Sequence, residues 1–253
     1  MAVESIFYSA SGIGSRGALI WDEGIKAPRP LLLVAPSWRG VIKPAIEAGQ
    51  MLAGEGYVVF VADMFGEGNG PVGSEDPAEF LKPFMADVPG MRRRIAAALD
   101  TLTREADRRA IGDITRRAAI GFCFGGLNVL DLARSGADVQ AVVSMHGTLV
   151  TSQPAKRGDI KAAVLAVHGA DDPVAPQPER QAFEAEMREA GACWALLMFG
   201  GVYHSFTDPQ ASRPGRAVYD EPASRHGYAL AHAFIADAFA GRRHGCPLPQ
   251  AAQ

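Results

Sequence analysis

One segment of the chain has the residue types and spacing of a nucleophile site. The apolar run Ala118–Phe122 leads into Cys123, with glycine at 121, 125 and 126, and a helix is expected from about Leu127. Gly-x-Cys-x-Gly between a strand and a helix is the nucleophile-elbow spacing, with cysteine in the place of serine. A nucleophile on so sharp a turn has strained backbone angles, and the residues two positions away pack with no room for a Cβ. The turn sets the sulfur near a helix N-terminus, where free N–H groups and the helix dipole favour the thiolate. The Phe124 N–H is then aimed at the oxyanion of a tetrahedral intermediate. No serine in the chain has glycine at both −2 and +2. The plainer reading of Cys123 is a buried core cysteine at a tight turn.

A nucleophile needs a base, and the base an orienting group. After an elbow the chain order is nucleophile, acid, then histidine. Two downstream segments fit that order, each directly after a strand-like run: His168-Gly169-Ala170-Asp171-Asp172-Pro173 and Tyr203-His204-Ser205-Phe206. Asp172 is the expected acid, with Asp171 as its neighbour and rival, and His204 is the expected base. The alternative for the aspartates is to cap a helix starting near Gln177. His168 is expected to support the acid loop. His146 ends the run Ala141–Met145 and either lines the crevice or is structural. His226, His232 and His244 fall on the last helix or the tail, as surface or packing residues. His168, Asp172 and His204 have no metal-ligand spacing, so no metal is expected.

These residues need a scaffold, and the rest of the chain reads as one. Strand-like runs at Ile6–Ala10, Ala18–Trp21, Leu31–Ala35, Tyr57–Ala62, Ala118–Phe122, Ala141–Met145, Ala162–Val167 and Trp194–Phe199 alternate with helical stretches. The helical stretches are Pro44–Glu55, Glu79–Arg109 (broken by Pro83, Pro89 and Gly90), Gly125–Arg134, Gln177–Ala190 and Tyr228–Ala240. That alternation predicts a mostly parallel α/β sheet flanked by helices, and the first two runs an antiparallel edge hairpin. Gly12–Gly17 matches Gly-x-Gly-x-x-Gly, yet a strand rather than a helix follows it, so no dinucleotide site is expected. Met64–Pro77 reads as a surface loop, and the tail after about Gly241 is expected to fray. No linker divides the chain, so residues 1–253 are expected to form one domain.

Bulk composition bounds the function. The chain has 253 residues, 48% hydrophobic and 21% charged, with a formal net charge of −3. A chain of this length buries roughly three-quarters of its extended surface and needs no staple to fold. The slight acidity argues against a nucleic-acid partner. No apolar run is long enough to span a bilayer. Cys123, Cys193 and Cys246 are far apart, which predicts no disulfide framework. Cys193 is expected to be structural and Cys246 incidental. Free cysteines without a signal-peptide pattern point to the cytoplasm.

Together the elbow, the His168–Pro173 and Tyr203–Phe206 segments and the run Gly56–Asp63 resemble the dienelactone hydrolase family of the α/β-hydrolase fold, from about Leu31 to Ala240. The resemblance implies Cys123 as nucleophile, Asp172 as acid and His204 as base. It also implies a second oxyanion donor in Pro36-Ser37-Trp38-Arg39-Gly40, for which the Trp38 N–H is the candidate. Ser37, Arg39, His146 and Tyr203 are the candidate substrate-binding residues. Two positions depart from the family. Members often have a glutamate that helps generate the thiolate where this chain has Ser37, and an arginine near Asp208 that holds a substrate carboxylate. The expected activity is cysteine-dependent hydrolysis of a small ester or lactone, with no cofactor. The alternative is a catalytically idle scaffold that binds a small ligand, with Cys123 as a redox-sensitive thiol.

Overall fold

The computed structural model of the chain describes residues 1–10, 12–73 and 76–246. Eight strands form one sheet: β1 (Ala2–Ala10), β2 (Ile13–Trp21), β3 (Arg29–Ala35), β4 (Val58–Val61), β5 (Gly112–Phe122), β6 (Ala141–Met145), β7 (Ala163–Gly169) and β8 (Cys193–Phe199). Their order is β1-β2-β4-β3-β5-β6-β7-β8. β1, β2 and β4 pair antiparallel, and every pairing from β4 to β8 is parallel. β6 and β7 are buried along their whole length, as strands between two helical layers must be.

The pleat divides the core. Leu31, Leu33 and Ala35 of β3 face one layer, and Leu32 and Val34 face the other. The first layer holds α2 (Pro77–Ala86), α3 (Val88–Arg108), α4 (Phe124–Arg134) and α5 (Gln177–Ala190). The second holds only α1 (Lys43–Gly54) and α6 (Glu221–Phe239). α4 starts directly at the elbow, and all its residues are buried. The glycine-rich segment after Gly12 enters β2 and pairs with β1, so it is a hairpin.

Four expectations change. Pro83 lies inside α2, and the break falls at Asp87, whose side chain accepts the Gly90 N–H and caps α3. α6 starts at Glu221 rather than Tyr228, with Asp220 as its N-cap. A two-residue ribbon of β9 (Ser212–Arg213) and β10 (Ala217–Val218) lies between β8 and α6. Finally, Cys193 and Cys246 are not separate thiols but a disulfide, closed over a sequence separation of 53 residues. The bond ties the chain beyond α6 to the start of β8, and Arg242 and His244 both pair with Asp237. The tail is thus fastened as far as Cys246, and the fraying expected beyond it falls on residues outside those described. Cys123 is the free cysteine. The case for a cytoplasmic location rested on three free thiols and loses that footing. Among the described residues no helix is long and apolar enough to cross a membrane.

Candidate active site

Cys123 sits at the junction of β5 and α4 with φ 54° and ψ −118°, a conformation that L-residues rarely adopt. Its neighbours make the turn possible. A Cβ on Gly121 would lie 2.0 Å from the Gly125 carbonyl oxygen, and one on Gly125 2.0 Å from that of Ala35. The Cys123 N–H donates to the Met145 carbonyl at 3.0 Å, which locks the elbow to β6. The side chain is half-buried.

Asp172 and His204 arrive from the C-terminal ends of β7 and β8. Asp172 is buried, and its Oδ1 accepts the Val174 N–H at 2.7 Å. Its Oδ2 accepts from His204 Nδ1 at 2.8 Å. Asp171, one residue earlier, is exposed. The aspartates do not cap α5, whose N-cap is Pro176. The loop carrying His204 is anchored on the small ribbon: the Val218 N–H donates to the His204 carbonyl at 3.0 Å, and Phe206 is buried beneath. Sequence patterns of strand and helix did not reveal this ribbon, because two-residue strands have no periodicity.

Electrostatics couples the sulfur to the imidazole. Burial alone would push the Cys123 thiol up, but His204 and the N–H groups of Phe124 and Trp38 outweigh it and hold the thiol below its ordinary range. Burial would lower the His204 imidazole, while the Cys123 sulfur and the Asp172 carboxylate raise it to about 10. Both shifts favour the thiolate form of Cys123 and the imidazolium form of His204. Trp38 and Phe124 are thus the two residues whose N–H groups converge on the sulfur. Trp38 is held by a turn in which the Gly40 N–H donates to Ser37 O at 2.9 Å.

His168 is buried with Nδ1 3.8 Å from Asp172 Oδ2, and burial lowers it to about 4, so it stays neutral behind the acid. His146 has φ 40°, its Nε2 pairs with Thr207 Oγ1 at 2.7 Å, and its ring meets the His204 ring edge-on at 5.1 Å. Among the described residues no group of three His, Cys, Asp or Glu side chains is arranged to hold a metal.

A cavity of about 860 Å³ opens beside these residues, between α1 and α6. Ser37, Trp38, Arg39 and His146 line its upper end. Tyr203 is not brought there and borders a separate hollow of about 310 Å³. Thr207, Tyr228 and the inner face of α1 line the cavity without having been anticipated. An apolar stripe on α1 was the available signal, but such a stripe reads equally as core. Lys82 is far out on α2, exposed beside Glu79.

Residues 18–239 match the model of the dienelactone hydrolase family. A rat protein named as a carboxymethylenebutenolidase homolog is 27% identical over 188 residues, covering 70% of this chain and 70% of the rat protein. The crystal structure of a dienelactone hydrolase-like promiscuous phosphotriesterase from metagenomic libraries superposes with a TM-score of 0.84 at 34% identity. The match covers 94% of this chain and 98% of that one. Dienelactone hydrolase from Anabaena variabilis shares the fold, with a TM-score of 0.64 at 18% identity over 93% of this chain and 97% of that one.

Proposed function

The chain belongs to the dienelactone hydrolase family, and from that premise we propose that it hydrolyses small carboxylic esters or lactones through Cys123, His204 and Asp172. The observation that carries the reading is the strained Cys123 facing a His204 imidazole whose Nδ1 is bonded at 2.8 Å to buried Asp172.

The Cys123 thiolate attacks the ester carbonyl, and its electron pair becomes the C–S bond while the C=O electrons move onto oxygen. The N–H groups of Phe124 and Trp38 hold that oxyanion. As the intermediate collapses, the C–O bond to the leaving alcohol breaks and the His204 imidazolium protonates the departing oxygen. Neutral His204 then takes a proton from water, and the hydroxide attacks the thioester. The second collapse releases the carboxylic acid and returns the thiolate, with His204 again protonated. Asp172 fixes the imidazole orientation and stabilises its charged form throughout. Ser37, where many family members have a glutamate, leaves thiolate formation to His204 and the two N–H groups.

The test is a single-turnover reaction with p-nitrophenyl acetate, read by nitrophenolate release and intact mass. One equivalent of nitrophenolate in a burst and an acetyl adduct on Cys123 are expected. Steady turnover that survives Cys123→Ala overturns the reading.

A further inference from the structure

The cavity beside the catalytic residues is longer than the attack on a carbonyl requires. Its floor is the sheet, at Val34, Ile120 and Phe122. Its upper end is Ser37, Trp38, whose N–H lowers the Cys123 thiol, and His146, whose ring meets that of His204. Its lower end is at the opposite edge of the sheet, where the Tyr57 hydroxyl and His232 Nδ1 lie 3.1 Å apart.

One wall is a stripe on α1. Ala45, Ala48 and Met51 of α1 line it together with the N-cap residue Ile42, the three helical positions winding through about 120° over about 9 Å of helix. None is buried, and Met51 is 45% exposed. Leu52 and Ala53 anchor α1 in the core, with Ala45 and Ile46 packed against it, while Ala48 and Met51 take no part in it. Ala48 and Met51 are therefore apolar surface outside the core, on the wall of a cavity that reaches Trp38 and His146, the neighbours of Cys123 and His204.

Charge narrows the occupant. Glu47, Glu55, Asp208 and Glu221 line the cavity against only Arg39 and Arg225, and Arg225 is already paired with Glu221 at 3.5 Å. A carboxylate on the ligand meets an excess of its own sign there. A neutral alkyl chain meets the stripe and the sheet floor.

We propose that the trough between α1 and α6 holds the acyl chain of the substrate, which is a neutral ester of a medium-length aliphatic acid. This rests on the hydrolase reading above and narrows it. With the carbonyl at Cys123, the chain runs down between Tyr228 and the α1 stripe.

The test pairs kinetics with binding. Hydrolysis of p-nitrophenyl acetate, butanoate, octanoate and decanoate is compared in the wild type, in Ala48→Trp, which fills the trough, and in Met51→Glu, an exposed position that puts charge on its wall. Binding of decanol to the same proteins is measured by calorimetry. In the wild type kcat/KM rises about twofold for each added methylene, since an open wall gives part of full burial. The ratio of decanoate to acetate falls about tenfold in both variants, and decanol binding weakens in parallel. Acetate turnover with a flat chain-length profile, or with a ratio both variants leave intact, overturns the trough and spares the hydrolase reading. Decanol binding that Ala48→Trp and Met51→Glu abolish, with no ester hydrolysed, sinks the hydrolase reading and keeps the trough as an alkyl site. Loss of both overturns both.

Discussion

The two faces of the sheet are built to different standards. Four helices cover the face of Leu31 and Leu33, and they close it completely. Ile95 of α3 is 0% exposed there, and the Arg134 side chain is equally enclosed, paired with Glu186 at 2.7 Å and with the Leu149 carbonyl at 2.6 Å. Two helices cover the other face, and a cavity of about 860 Å³ separates them. Cys123 sits where the two meet, at the end of β5. On the proposed reading the difference separates two tasks: the closed face holds the elbow in its strained state, and the open face admits what the elbow acts on.

The sharpest way to break that division is at the junction itself. Cys123→Ala is expected to lower kcat/KM for an activated ester at least about a thousandfold. The change removes one sulfur from a half-buried side chain at the rim of the core, so a thermal melt should stay within a few degrees. Turnover that persists would move the chemistry out of the junction and into the open face.

The next largest effect concerns how the open face is fastened. The Cys193–Cys246 bond ties the segment beyond α6 to β8, which supplies one anchor where packing is sparse. Closing a loop of 53 residues stabilises by about 4 kcal/mol in the chain-entropy account. Thiol titration of the denatured protein should find one thiol before reduction and three after. Urea unfolding with and without reductant should then separate by up to that amount. Three thiols before reduction would remove the fastening from the comparison.

Truncations measure the faces directly. Ile95→Ala, on the closed face, should cost about 3 kcal/mol, because the site is fully enclosed and leaves a cavity. Met51→Ala, on the open face, should cost less than about 0.5 kcal/mol, because that side chain is already 45% exposed. Equal costs in urea unfolding would mean that α1 packs as tightly as α3 and that the trough is no standing feature.

What could be read from residues follows the same division. All eight strands and the elbow were legible, since apolar runs must be buried between layers and a strained nucleophile tolerates only glycine around it. That Asp172 and His204 would meet was legible, because strand ends in an open α/β sheet face one crevice. The trough was not, because it is a distance between α1 and α6, which are far apart in sequence. Ala45, Ala48 and Met51 are apolar positions on a helix whose sequence does not say whether anything covers them. The disulfide was hidden for a related reason: Cys193 and Cys246 have no motif spacing, and only the return of α6 along the sheet brings them together.

The smallest expected effect tests the coupling at the junction without abolishing anything. The Cys123 thiol is held below its ordinary value, near 8.5 in free peptides, so alkylation by iodoacetamide should reach half its limiting rate at a pH under about 8.5. His204→Asn removes the strongest partner and should move that midpoint upward. Stability follows the same pair with opposite signs. The raised His204 contributes fully below about pH 6.5, its unfolded value, and loses that contribution as pH rises through about 10. The depressed Cys123 contributes fully above the ordinary thiol range and loses that contribution as pH falls through its folded value. The two trends offset each other in the window that lies above both about pH 6.5 and the folded Cys123 value and below about pH 8.5, where folded and unfolded chains hold the same number of protons at this pair. Wild type minus His204→Asn should therefore be flat in urea unfolding across that window and decline on either side. Wild-type stability that itself keeps rising with pH through the window, in parallel with His204→Asn, would mean that the imidazole is neutral and that the elbow alone lowers the thiol.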